Sequence, residues 1–186
     1  MAGRRSDTRE RIQQVALDLF VEQGYENTSL REIAERLEVT KAALYYHFKT
    51  KEEIVGSLFD DLAESLDKIL DQARSDPGFT GEKMLHRLAG LIEGRFVRIW
   101  RFVQENQPAL KKLEVGNPFA DRMMALLKIM CGDEDDPEMV LKTRLAVMAL
   151  VMGNNPEVLA DDRRSEVALK VALDLAGAHG ALRRAT

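Results

Sequence analysis

Residues 40–51 read TKAALYYHFKTK: three lysines, two adjacent tyrosines, two threonines and a histidine, with no acidic residue. The chain around them has a formal net charge of −4, from 27 Lys+Arg against 31 Asp+Glu. Ammonium groups and hydroxyls without carboxylates among them suit one chemistry above others, contact with a phosphate backbone. A duplex carries about one negative charge per 1.7 Å of its axis, which lysines neutralise and acids would repel. Tyrosine and threonine hydroxyls donate to phosphate oxygens and fix register. At 100° per residue, Ala43, Leu44, His47 and Phe48 fall on one side of a helix, and Lys41, Ala42, Tyr45 and Tyr46 fall on the other. From that outer side Lys41 reaches guanine O6 and N7, and the Ala42 methyl meets a thymine methyl. Lys51 lies at the start of the next helix, whose N-terminus adds about half a positive charge and favours phosphate. Residues 1–51 hold nine Lys/Arg and eight Asp/Glu, so the pattern lies in the distribution of charge and not in its sum. A solvated helix face is the plain alternative.

Other clusters carry less. The run DEDDPE at 133–138 offers carboxylates for a hard cation, or a capped start for the next helix where acids meet the positive end of its dipole. His47, His86 and His179 stand far apart with no metal-ligand spacing. No glycine-rich phosphate loop, GxSxG or Cys/His pair occurs. Cys131, the single cysteine, excludes an intramolecular disulfide and reads as a small core residue or a redox sensor. Neither catalysis, a metal centre nor a cofactor is expected.

The elements that position the basic segment are helices. One helix over residues 7–23 places Ile12, Val15, Ala16, Leu19 and Phe20 on a common face, and Gly24 follows where a left-handed cap is needed. Ser29 and Glu32 have capping-box spacing before a helix that buries Ile33, Ala34 and Leu37. Thr40 caps a third. A short connector between two short helices, the second projecting an exposed polar face, is a helix-turn-helix. Beyond it, the spacing predicts a long helix over 51–75, a break at 75–81, and an apolar helix over 82–106. A short helix between Pro108 and the GNP at 116–118, two further apolar helices, and a last helix over 162–177 complete nine, with no strand. The fold class is all-α, with a helix-turn-helix domain over 1–51 and a helical bundle over 52–186. The longest uncharged run, residues 145–156, is too short to span a bilayer. The first residues lack the apolar segment of a secretory signal, and the cysteine usage fits a reducing cytoplasm. A soluble cytoplasmic protein with no membrane partner is expected.

Residues 20–55, FVEQGYENTSLREIAERLEVTKAALYYHFKTKEEIV, resemble the N-terminal signature of the TetR/AcrR family of bacterial transcriptional regulators. The matching elements are Gly24-Tyr25, Thr28-Ser29, Ile33-Ala34, Leu37, Val39, Leu44-Tyr45, His47-Phe48 and Lys51, about the first third of the chain. The resemblance implies nine helices, a homodimer, a double-stranded DNA operator, a bias to repression and a small-molecule inducer. Carried over by position, it implies base contacts from Arg31, Lys41, Ala42 and Tyr45. It implies phosphate contacts from Thr28, Ser29, Thr40, Tyr46, His47 and Lys51. Glu38 departs from the pattern, standing where the family's turn most often has Gly.

The larger domain is expected to sense and to pair. Two reading helices must sit about 34 Å apart to enter successive major grooves, so a dimer through the last two helices is expected. LAVMALVM is apolar all round, and the Ala-rich side of VALKVALDLAGAHGA allows close approach. Both helices closing the monomer's own core is the alternative. Gly90 and Gly94 leave room beside Met84, Leu88, Phe96 and Trp100. Met123 and Met148, with Met124, Met130 and Met152, supply soft wall material for an unknown, largely apolar effector. Arg95 and Arg98 could orient an anion. A helical protein-interaction module that binds no DNA explains the apolar helices equally well, but not the acid-free segment.

Overall fold

The computed structural model describes residues 2–110, 117–131 and 136–177. Its helices are α1 (Ala2–Gln23), α2 (Leu30–Arg36), α3 (Lys41–His47), α4 (Lys51–Ser75), α5 (Gly81–Leu91), α6 (Val97–Glu105), α7 (Gln107–Leu110), α8 (Asn117–Cys131), α9 (Pro137–Gly153) and α10 (Arg164–Gly177). A π-helical turn at Ile92–Phe96 joins α5 to α6 without a break. Counting that run once, the described residues form nine helices and no strand, as expected. The chain gathers into two compact units, residues 1–62 with 98–118, and residues 63–97 with 119–186.

In the first unit the sequence signals act where they stand. Gly24 ends α1 at φ 89°, in the left-handed region where a Cβ is costly. Ser29 Oγ accepts from the Glu32 N–H, and the Glu32 carboxylate accepts from the Ser29 N–H at 2.7 Å, completing the capping box. Thr40 Oγ1 caps α3 by accepting from the Ala43 N–H at 3.2 Å. Ile12, Ala16, Phe20, Ile33, Ala34, Leu44 and Phe48 form the core. Helix α1 differs from expectation in two ways. It begins at Ala2, with Ala2 and two arginines favouring a helix against the single Gly3. The expected basic arm at residues 3–5 is therefore helical backbone, and its side chains lie outside the described residues. A second face is buried as well: Gln13 and Leu17 are covered, while Val15 is only half-buried. The cause is that α4 and α6 pack on that face.

In the second unit Met84, Leu85, Leu88, Ile92 and Phe96 make one buried stripe. Helix α10 lies along α9, and an added Cβ at Gly153 would meet the Ala168 Cβ at 2.6 Å. Ala168, Ala172 and Ala176 are buried. The Ala-rich side, expected to receive a second chain, is thus used inside this one, because small residues there let α9 and α10 approach. Helix α7 spans Gln107–Leu110 and tolerates Pro108 in its first turn. Gly116, the acids at 133–135 and His179 lie outside the described residues.

Candidate nucleic-acid interface

Helix α3 is seven residues long and buries Leu44 fully; Phe48 follows at 2% exposure. These two anchors turn the opposite side outward. Lys41 and Ala42 are exposed, Tyr46 is 59% exposed, and Tyr45 and His47 are half-buried. The Lys41 ammonium sits 5.3 Å from the Tyr45 ring centroid, and the Tyr46 and His47 rings meet edge to face at 5.3 Å. Ala43, expected on the inner side, is exposed, because so short a helix is anchored only through Leu44 and Phe48. The outer face therefore shows a cation, two methyls and a phenol, with a second phenol held against the cation.

The neighbouring candidates divide into presented and engaged groups. Arg31 is exposed and paired with Glu35 at 2.7 Å, an i,i+4 pair that a stronger acceptor could break. Ser29 and Thr40 are exposed caps whose oxygens already accept backbone N–H groups. Thr28 is only 2% exposed, and its hydroxyl lies 2.9 Å from the Gly24 carbonyl, so it pins the chain before α2 and does not offer itself to a phosphate. Lys51 is half-buried. Its ammonium donates to the Tyr25 carbonyl and lies 4.4 Å over the Tyr25 ring. Glu38 occupies the turn between α2 and α3 at φ 57°, the left-handed conformation that makes Gly usual there.

Sequence reasoning gave no role to the residues beneath this surface. Tyr25 is 3% exposed, and its hydroxyl donates to Glu52 at 2.7 Å. Burial, then the Glu52 carboxylate, push the Tyr25 hydroxyl far above its ordinary range, and the same hydrogen bond holds Glu52 below the usual carboxylate range. Gln13, 1% exposed, donates to Ser57 Oγ at 2.8 Å and to Asp61 at 2.9 Å, tying α1 to α4. A Gln within an apolar-faced helix gives no periodicity signal, so only the fold reveals it.

Of the expected effector wall, Met84, Leu88 and Phe96 are buried and Met123 is half-buried in the second unit, and Trp100 belongs to the first. Met148 is 40% exposed. Gly90 is exposed with open space where a Cβ would stand, because it shares the polar side of α5 with His86 and Arg87. Arg98 pairs with Asp18 of α1. Two recesses of the second unit, of about 440 and 380 Å³, are lined by none of the methionine, leucine, phenylalanine and tryptophan residues expected to form the wall. The first lies among Asp76, Phe79, Lys83, His86 and Arg87, and the second among Pro137, Val140, Leu141 and Arg144. Among the described residues no three His, Cys, Asp or Glu converge as metal ligands, and no helix is long and apolar enough to cross a membrane.

Comparison with known proteins agrees with this geometry. The family described as bacterial regulatory proteins, tetR family, matches residues 12–58. The HTH-type transcriptional regulator AcrR of Shigella flexneri is 46% identical over 59 residues, 32% of this chain and 27% of that protein. The matched stretch thus spans about a quarter of that relative's length. Among solved structures, the ketosteroid transcriptional regulator KstR2 of Mycobacterium tuberculosis superposes with a TM-score of 0.63 at 18% identity, over 92% of this chain and 94% of that one. A regulator-like protein from Saccharomonospora viridis, solved in complex with choline, has a TM-score of 0.61 at 19% identity, over 96% of this chain and all of that one. At such identities the structural likeness is one of fold.

Proposed function

We propose, for a chain whose helix-turn-helix places it in the TetR/AcrR family of bacterial transcriptional regulators, that it binds a palindromic operator as a homodimer and represses transcription. A small, largely apolar effector releases it. Residues 1–51 bind DNA, and residues 52–186 sense and pair. The protein is not an enzyme. One observation carries the DNA reading: the exposed face of α3, with Lys41, Ala42 and Tyr46, lies inside a carboxylate-free segment. Lys41, Ala42, Tyr45 and Arg31 read bases, Arg31 by exchanging Glu35 for a guanine edge. Ser29, Thr40, Tyr46, His47 and Lys51 hold phosphate.

Pairing is supported by α9, where Leu141, Leu145, Met148 and Met152 recur at helical spacing and are 40–58% exposed. Val167 and Val171 of α10 are also exposed. A row of large apolar side chains in water marks a partner surface. For the effector, the buried Met84, Leu88 and Phe96 offer adaptable apolar wall, and choline in the Saccharomonospora viridis protein is a precedent for a small ligand on this fold. Effector binding to one of two conformers of the bundle would shift the population away from the DNA-competent one.

Selection of bound DNA from a random pool tests the first claim. Enrichment of a palindrome is expected, with affinity falling steeply in salt. Lys41→Ala should lower the salt slope by about one phosphate equivalent or relax one base position. No enriched sequence, with salt-insensitive binding to another protein, would leave the interaction-module reading standing. Small molecules that bind tightly are then titrated into the operator complex, and failure of all of them to release DNA sinks the effector claim.

A further inference from the structure

The start of the helix-turn-helix is held from a place far along the chain. The turn between α1 and α2 sits on α6. Asn106, just past the end of α6, accepts the Tyr25 backbone N–H through Oδ1 at 3.0 Å, across 81 residues of sequence. Its own Nδ2 donates to the Phe102 carbonyl at 2.9 Å, which fixes the side chain's orientation. One turn back, Phe102 is wholly buried and stacks on Phe20 at 5.3 Å between centroids, with Tyr25 at 6.2 Å. One turn further back, Arg98 pairs with Asp18 of α1. Arg98, Phe102 and Asn106 are spaced by four, so they follow one face of α6 and meet the last two turns of α1 and then Tyr25 in order. The chemistry along that face is graded: an exposed ion pair of small worth, an aromatic stack, and one directional hydrogen bond.

That bond ends where the backbone has least freedom to compensate. Gly24 is left-handed, and Tyr25 is held on every side. Its carbonyl accepts from Lys51, its hydroxyl donates to Glu52, and its ring packs on Phe20 at 5.2 Å. Tyr25 N–H is the residue's one main-chain donor, and its bond to Asn106 is part-buried, so loss of the acceptor leaves that donor short of a partner inside the protein. From Tyr25 three residues lead to Thr28 and Ser29, which set the direction of α2 and hence of α3. The π turn at Ile92–Phe96 widens the helix just before α6, which shifts the phase of residues after it against those before.

We propose that Asn106 is a positioning residue for DNA binding: it fixes the backbone of the α1–α2 turn from outside the helix-turn-helix, so that the aim of α2 and α3 requires α6 to be seated. The proposal rests on the DNA-binding reading and is tested so that the two can fail separately. Asn106→Leu removes the acceptor at equal size. Asn106→Asp keeps an oxygen in the same place. Amide hydrogen exchange is followed in the full-length protein, and affinity is measured for the selected operator and for random duplex. In Asn106→Leu the Tyr25 amide and its neighbours through Thr28 should exchange about tenfold faster or more, with α9 and α10 unchanged, as expected for one orphaned donor. Operator affinity should fall about tenfold by the same bond, while random duplex, which needs only charge, is bound as before. Asn106→Asp keeps an acceptor for the Tyr25 N–H but loses the donor to the Phe102 carbonyl, so it should lose less than Asn106→Leu in both readouts. Unchanged exchange at 24–28 in Asn106→Leu overturns the proposal, and so does acceleration spread evenly over the whole protein, or an equal fall in operator affinity in the Leu and Asp variants. A wild type that binds no DNA removes the functional reading, and the exchange experiment then still decides whether α6 holds the turn.

Discussion

Glu38 shows how one side chain can stand against its backbone. At φ 57° a Cβ costs about 1–2 kcal/mol, and glycine there would avoid it at an entropic cost of about 0.5–1 kcal/mol. Glu38→Gly should therefore raise unfolding free energy by up to about 1 kcal/mol in urea titration. It should also strengthen DNA binding at low salt, because a carboxylate leaves the rim beside α3. Equal or lower stability would mean that Glu38 has a compensating contact. The hydrogen bond between Tyr25 and Glu52 predicts a pH dependence with two limbs. Glu52 titrates below its ordinary value of 4.5 in the folded state, so its contribution is complete above that value and is lost as pH falls through the folded pKa. Tyr25 titrates above 10.0 when folded, so its contribution is complete below 10.0 and is lost as pH rises beyond it toward the folded pKa. Urea midpoints measured from pH 3 to pH 11 should fall at both ends. Tyr25→Phe should flatten the alkaline limb and weaken the acid one; an unaltered alkaline limb would contradict the assignment.

At the level of elements, local signals were legible and long-range ones were not. Gly24, the Ser29/Glu32 box and Thr40 act within four residues of themselves, so spacing alone placed α2 and α3. The outward turn of Lys41, Ala42 and Tyr46 was readable from helical period, although Ala43 escaped it because two anchors do not fix every position of a two-turn helix. Gln13, Tyr25 and Asn106 were illegible, since their partners lie 44, 27 and 81 residues away. The π turn left no mark that a 3.6-residue period could reveal. The Ala stripe of α10 was visible, but its partner was not: small residues say that something comes close, and only the packing says that it is α9. That contact makes its own prediction. Gly153→Ala places a Cβ 2.6 Å from that of Ala168, where something must move. The expected loss is about 1–3 kcal/mol in thermal or urea unfolding, as for an overpacked core site. Ala168→Gly introduced with it should recover part of that loss beyond additivity, since the clash partner is removed. Additive effects would show that α9 and α10 separate freely.

At the scale of the whole molecule, charge and pairing must act together. The acid-free segment is small, the chain as a whole is acidic, and one α3 offers a single lysine on its outer face. So modest a footprint binds duplex DNA usefully only if it is doubled at groove spacing. Helix α9 has the surface to do this. Its inner side buries Thr143, Ala146, Leu150 and Val151, and its outer side carries the Leu141, Leu145, Met148 and Met152 row. In a two-fold pair a single substitution occurs twice, and Leu145→Arg would set two like charges in or beside the same apolar contact. Because Leu145 is 45% exposed in one chain, the change should cost the protomer no more than about 0.5 kcal/mol. Sedimentation should then show a monomer at concentrations where wild type is a dimer. Palindrome affinity should drop by two orders of magnitude or about that, the avidity lost with the second site, while half-site affinity is kept. Met124→Arg on α8, a site 54% exposed but off this row, should leave the dimer intact. A Leu145→Arg protein that remains dimeric, or a Met124→Arg protein that does not, would move the pairing surface away from α9.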